Sequence, residues 1–416
     1  MVAVRLSCAV NNYHWGKHGL ESKAAQFAAT NPDVSIDNNQ TYAELWMGTH
    51  PSGPSKVFGT DTPLSAIVAE SPELALGSTI AQKYQGQLPY LFKVLSIEKA
   101  LSIQAHPDKA LAQRLHAERP NDYKDPNHKP EMSIALTDFI AMSGFRPLEQ
   151  ISNNLQEYPE FRALVKDSAE QFTAAAGKGV SDEEKRKALR ALFAELMGAS
   201  AGDVKTQLDA LLARVGADPA SFGPQDVTLP ALVSRLNGEY PGDVGVFCVF
   251  VLNILVLQPG DAFFMGPNDP HAYISGDCVE CMATSDNVVR AGLTPKLRDV
   301  PVLVDMLTYD YGTPEAKLLK PVKFRNTQHS IIYDPPIEEF SVVRTQLEQD
   351  QKEVIEALDG PQILLVAEGE GSMIVNDDGE EKHDLEPGFV YFIVPGSSIS
   401  IQANTSLVAY TAICLA

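Results

Sequence analysis

The sequence predicts a mainly β protein with an α insertion, built as two jelly-roll barrels in tandem with a helical domain inserted into the first. Three observations predict it. Short runs with period-two alternation fill both ends of the chain. A block of helical periodicity interrupts them between about 147 and 238. A strand led by Pro-Gly occurs once in each β-rich part.

The first β-rich part is rich in turn residues, and residues 91–97 and 101–106 read as strands. In the second of these, Ser102, Gln104 and His106 alternate with apolar residues and therefore point to one face. The helical block opens with Ser181 and Glu184, spaced as a capping box. Behind it Leu189, Leu192, Phe193, Leu196 and Met197 recur at helical spacing, as do Leu208, Leu211, Leu212 and Val215 up to Gly216. Their apolar stripes are packing surfaces. After Pro241 the run 244–257 is apolar throughout. Its β-branched residues and the Pro259-Gly260-Asp261 behind it favour strands over a buried helix. From 320 to 416 the pattern is β, with Asp377-Asp378-Gly379 as a hairpin turn.

The repeat supports the two barrels. Pro259-Gly260 leads to a strand, Pro267 and His271; Pro387-Gly388 leads to a strand, Pro395 and Ser398. Each copy has the turn, strand and tight turn of a cupin-type jelly roll. Only the first supplies a histidine. The expected organisation is a catalytic cupin-type domain from 1–150 and 239–320, a helical insertion from 151–238, and a C-terminal cupin-like barrel without metal ligands from 321–416.

Composition narrows the function classes. A 416-residue chain is long enough for two or three domains. Its formal net charge of −21 disfavours nucleic acid and anionic membranes as partners. It has no apolar run long enough to span a bilayer, and residues 1–10 are too short for a secretory signal, so a cytoplasmic protein is expected. Five scattered cysteines fit reduced thiols. Cys278 and Cys281 have the spacing of a zinc or redox pair, but no second pair accompanies them, and a structural role is the reading favoured.

Chemistry-bearing residues gather in the first β-rich part. Gln104, His106, Glu131 and His271 together offer two imidazoles, a carboxylate and an amide oxygen, which suits a borderline divalent ion. Zinc is the first choice, with iron, manganese or cobalt as substitutes. Only one of the four donors is anionic, so the ion keeps positive charge and can act as a Lewis acid. Any one of these residues alone would read as an ordinary turn residue. Lys93, Lys129, Arg290 and Lys296 lie near the same segments and suggest a cationic pocket for a small anion such as phosphate. No phosphate-binding glycine loop and no serine-hydrolase elbow appears; Glu368-Gly369-Glu370-Gly371 reads as a turn.

Several long strings resemble the type I phosphomannose isomerase family. They include Asn12-Tyr13-His14-Trp15-Gly16, residues 43–51, Leu101-Ser102-Ile103-Gln104-Ala105-His106-Pro107, Asn127-His128-Lys129-Pro130-Glu131, Asn268-Asp269-Pro270-His271-Ala272-Tyr273 and residues 285–296. They follow one another in the family's order over nearly the whole chain. The resemblance implies interconversion of mannose 6-phosphate and fructose 6-phosphate, and through it a supply of mannose 6-phosphate for GDP-mannose synthesis. It implies one zinc ion held by Gln104, His106, Glu131 and His271, and a catalytic role for Arg290. It also implies that Trp15, Lys93, Ser102, Lys129, Tyr273, Glu280, Asp286 and Lys296 line the substrate pocket. The expected partner is a small phosphorylated hexose, and a monomer is expected. Generic cupins place their glutamate a few residues after a His-x-His pair; here Gln104 stands for the first histidine and Glu131 lies much further on, as in this family.

Such an isomerisation needs a base near C1 and C2. Glu280, Asp286, Lys129 and His128 are candidates, with an acidic residue of the 280–286 segment favoured. Two other readings stand beside this one: a non-catalytic sugar-phosphate-binding cupin, and an iron-dependent cupin oxygenase, which the lysines, the arginine and the Gln104 ligand fit poorly.

Overall fold

The computed structural model describes residues 2–216, 227–376 and 380–415. Two β-barrels flank a shared apolar layer, and helices pack on one end of the first barrel.

The first barrel is organised by one long strand, His271–Ala283. Its first half pairs with Phe139–Phe145, and its second half pairs with both Tyr90–Ile97 and Glu131–Ala135. The strand changes partners at Gly276, whose φ is +113°. A Cβ there would meet the Asp138 carbonyl at 2.5 Å, so only glycine fits this bend. One strand thereby carries His271 on one wall of the barrel and Glu280 on the other.

The two Pro-Gly repeats share a backbone. Gly260 and Gly388 have φ of +90° and +89°, and each turn is closed by a bond from i+3 to i, Asp261 N to Gln258 O and Phe389 N to Glu386 O, both at 2.9 Å. This is a type II turn with proline first and glycine second. The strands that follow are Ala262–Met265 and Val390–Ile393.

The C-terminal barrel pairs an eight-stranded sheet with a four-stranded one around Val343, Leu364, Met373, Leu385, Ile401 and their neighbours. Its edge takes in Ala3–Ser7, which pairs antiparallel with Val390–Ile393 and with Lys56–Val57. Ala3 packs in the C-terminal core, while Val4 and Leu6 pack in the layer that the two barrels share. The barrels meet face to face through Leu45, Phe92, Val94, Ile134 and Val279 on one side and Ile363, Leu365, Phe392 and Ala412 on the other. Tyr90 seals the contact, its hydroxyl reaching the Pro361 and Ala412 carbonyls at 3.2 and 3.1 Å.

The helical insertion forms as expected. The Ser181–Glu184 capping box opens Asp182–Gly198, and Leu189, Leu192, Phe193, Leu196 and Met197 are buried. Ala201–Val215 ends on Gly216 in the left-handed conformation. The apolar run 244–257 departs from expectation in its first half: Val244–Phe250 is a 3-10 helix and only Leu252–Leu257 is a strand. Asp243 caps this helix through Gly245 N at 2.7 Å. Every residue of the helix is buried, so the run carries no alternation that would separate helix from strand. The strands Gly371–Asn376 and Glu380–Leu385 pair as a hairpin, while the expected turn Asp377-Asp378-Gly379 lies outside the described residues. Among the described residues no helix is long and apolar enough to cross a membrane.

Candidate metal centre

His106, Glu131 and His271 come from three different strand ends, and each is at most 2 % exposed. His106 follows Ile103–Ala105, Glu131 opens Glu131–Ala135, and His271 opens the long strand. Glu131 Oε2 lies 3.2 Å from His106 Nε2 and 3.2 Å from His271 Nε2. All three candidate ligand atoms fall within 4.8 Å of one another.

The tautomers follow from the neighbours. His106 Nδ1 faces the Asn287 carbonyl at 2.7 Å, and His271 Nδ1 faces the Asp269 carbonyl at 3.1 Å. A carbonyl only accepts, so each Nδ1 carries a proton and each ring turns its Nε2 inward. Both Nε2 atoms are buried without a hydrogen-bond partner. Burial pushes the His106 pKa down to about 4 against the pull of Glu131, so the ring is neutral. Burial pushes Glu131 up, but the Lys129 ammonium beside it outweighs this and holds the carboxyl well below its ordinary range. Two inward ring nitrogens and one carboxylate on a common point make a donor set that suits a divalent cation. Gln104 is the register partner of His271 on one side and of Arg290 on the other. Ser102 Oγ donates to its Oε1 at 3.4 Å, as the alternation predicts.

A second buried group adjoins the first. Lys129 Nζ lies 3.1 Å from Glu131 Oε1. Lys93 Nζ lies 3.1 Å from Glu280 Oε2 and 4.0 Å from Glu44 Oε2. The Tyr273 hydroxyl donates to Glu280 Oε1 at 2.7 Å and lies 2.6 Å from Ser133 Oγ. Burial raises the Glu280 carboxyl above its usual value, although Lys93 pulls it down. Lys93 is raised: the surrounding Glu44, Glu280 and Glu131 outweigh the effect of burial.

Arg290 and Lys296 share a cleft of about 210 Å³ with Asn121, Asp122, Tyr123 and Asp299. Burial lowers the Arg290 pKa, and no carboxylate is paired with its guanidinium among the described residues. Trp15 packs at the edge of the first barrel's core, and Tyr13 stacks on it at 5.8 Å.

Two of the four candidate bases are otherwise engaged. His128 Nε2 lies 2.6 Å from Glu339 Oε1 on the C-terminal side. The Asp286 side chain is 56 % exposed and sits 3.4 Å from His50 Nε2, whose hydrogen bond lowers its pKa. Cys278 and Cys281 fall on opposite faces of their strand, one inside the first barrel and one in the layer between barrels. Glu44, Ser133, Asp269 and Asn287 went unnoticed in the sequence. Glu44 and Ser133 reach the group through side chains that strand pairing brings in from a distance, and Asp269 and Asn287 act through main-chain carbonyls.

Fold and centre together define a cupin built around a buried site able to hold a single metal ion. Residues 3–148, 164–252 and 330–378 match, in turn, the families described as phosphomannose isomerase type I catalytic domain, helical insertion domain and C-terminal region. The chain belongs to the type I phosphomannose isomerase family. It is 46 % identical to the mannose-6-phosphate isomerase of Saccharomyces cerevisiae over 96 % of this chain and 95 % of that one. It is 45 % identical to that of Schizosaccharomyces pombe over 99 % of each. Among solved structures, an arginine-to-alanine variant of phosphomannose isomerase from Salmonella typhimurium superposes with a TM-score of 0.83 at 29 % identity, covering 100 % of both chains. A mannose 6-phosphate isomerase bound with zinc and yttrium gives 0.82 at 29 % identity, again over 100 % of both.

Proposed function

We propose that this chain is a zinc-dependent aldose–ketose isomerase that interconverts mannose 6-phosphate and fructose 6-phosphate, and so supplies mannose 6-phosphate for GDP-mannose synthesis. The observation that carries the reading is the convergence of two inward-facing imidazole nitrogens on one oxygen of Glu131. Gln104, His106, Glu131 and His271 hold the ion. When bound, zinc would supply Lewis-acid charge for the negative charge that develops on the sugar's carbonyl oxygen.

The chain's own residues do the rest. Glu280 takes the proton from C2 and returns it at C1. Of the two buried carboxylates beside Lys93 it is the one that Tyr273 also holds, and its raised pKa lets it hold a proton between the two transfers. Lys93 and Tyr273 fix its two oxygens. Arg290 brings an uncommitted, partly desolvated guanidinium to the developing negative charge. Lys129 keeps Glu131 ionised. Lys296, at the exposed end of the cleft, takes the phosphate, and Trp15, Ser102 and Asp286 border the sugar.

Solved alanine variants of the Salmonella enzyme support these choices. They replace a lysine and a histidine thirteen positions apart, a lysine and a glutamate two apart, and a histidine, a glutamate and an arginine at intervals of nine and ten. Lys93 and His106, Lys129 and Glu131, and His271, Glu280 and Arg290 repeat those intervals.

The test is formation of fructose 6-phosphate from mannose 6-phosphate by the purified, zinc-loaded chain. Turnover is expected. Saturable binding of the sugar phosphate without turnover would instead establish a non-catalytic binder.

A further inference from the structure

His106 owes its ring orientation to the main-chain carbonyl of Asn287, and Asn287 sits in a loop, not a strand. One side chain organises that loop. Asp125 Oδ1 accepts from Ser285 Oγ at 2.8 Å and from Asn127 N at 2.9 Å. Asp125 Oδ2 accepts from Asp286 N at 2.8 Å. The amide of Asn287 donates to the Asp125 carbonyl at 2.6 Å and to the Asn127 carbonyl at 3.0 Å. Asn127 in turn donates from Nδ2 to the Thr284 carbonyl at 3.0 Å.

Two segments far apart in sequence are thus knotted at one carboxylate. The first runs from Asp125 through Lys129 to Glu131. The second runs from Thr284 through Asn287 into Val289–Gly292, which carries Arg290. Between them they hold one candidate ligand, the acceptor that orients another, and the guanidinium assigned to the reaction. A carboxylate accepting four hydrogen bonds, the fourth from Asn287 Nδ2 at 3.4 Å, holds such a loop more firmly than neutral acceptors do. A metal-ligating imidazole depends on its outer acceptor for both tautomer and direction.

We infer that Asp125 is a positioning residue that sets the affinity of the metal centre through Asn287 and His106, and the placement of Arg290 through the same loop. The inference rests on the proposed reading of His106 as a ligand. Asp125 touches neither the ion nor the sugar; it acts through the main chain. Its loss frees the Asn287 carbonyl to swing, which lets the His106 ring rotate out of line.

Asp125→Ala and Asp125→Asn, made in the full chain, test it. The asparagine variant keeps one acceptor oxygen and places an NH2 group where the other now accepts. Three quantities are measured: the zinc dissociation constant by competition with a chromogenic chelator, the visible spectrum of the Co2+-substituted protein, and kcat and KM at saturating zinc. We expect the alanine variant to bind zinc about 10- to 100-fold more weakly, with an altered Co2+ spectrum and a fall in kcat that added zinc does not fully restore. The asparagine variant should move the same way by less, and it decides the matter if the alanine variant does not fold. Parent-like zinc affinity and Co2+ spectrum would overturn the inference, even with a lowered melting temperature. A parent chain that binds no zinc would overturn the reading of the site itself.

Discussion

Lys93 and Glu280 are register partners on neighbouring strands, and their side chains meet at 3.1 Å with both residues under 10 % exposed. Neither charge is stable at this depth alone. Glu44 lies on the far side of Lys93, with Trp46 packed against the ammonium at 5.1 Å.

The pair makes a pH-dependent stability prediction. In Lys93→Met the Glu280 carboxyl, already raised by burial, loses the partner that lowers it and rises further. A carboxyl whose folded pKa exceeds its unfolded value of about 4.3 binds its proton more tightly when folded. Its contribution is most favourable at low pH, declines as pH rises from the unfolded to the folded value, and is then flat. Urea titrations should therefore show a small cost near pH 4 that grows toward neutral pH, approaching about 3–5 kcal/mol for a broken buried pair. A cost independent of pH would exonerate Glu280.

Glu280→Gln should keep its zinc and lose turnover by about 10²- to 10⁴-fold, the range for a lost general base. Exchange of the C2 hydrogen with deuterated water should vanish in parallel. Persistent exchange would move the base elsewhere, with Lys129 next in line.

Arg290→Ala should leave zinc in place and lower kcat by about 100-fold or more, as for a lost donor to a developing oxyanion. Metal analysis and steady-state kinetics on the same preparation check this, and unchanged kcat would remove Arg290 from the mechanism.

His271→Ala should lose metal and activity together, because among the described residues no other histidine, cysteine or carboxylate joins His106 and Glu131 there. Chelation of the parent should abolish activity and zinc should restore it. Full activity after dialysis, with metal shown absent by elemental analysis, would end the zinc scheme.

Gly276→Ala should be costly for a residue so far from the chemistry. Its φ of +113° and the 2.5 Å approach to the Asp138 carbonyl strain any side chain, at about 1–3 kcal/mol. Because the bend separates His271 from Glu280, zinc retention should fall along with the melting temperature. Parent-like melting and zinc content would show that the bend relaxes.

The candidate donors were legible because they sit on short strands or at strand ends, where alternation and neighbouring prolines betray direction. Gln104 and His106 share a face by period alone, and the structure brings Glu131 and His271 to the same point. The helical insertion was legible for a similar reason: Ser181 and Glu184 mark its longest helix in residue types that serve caps. What escaped is what depends on distant partners. Nothing local in Ala3–Ser7 says that it pairs with Val390–Ile393. Nothing in His128 announces Glu339, and a uniformly apolar run such as Val244–Phe250 has no period to read. Asp125 looks like a turn residue because its work is done on main-chain groups.

The seat of Ala3–Ser7 between Val390–Ile393 and Lys56–Val57 bears on how the protein is made. During vectorial synthesis this strand waits for nearly the entire polypeptide before its main partner leaves the ribosome. Until then its hydrogen-bonding edge on that side is open to other nascent chains. Loop closure over such a span is slow, so translation that stops short of Val390 leaves an adhesive product even when every candidate metal ligand has already been made.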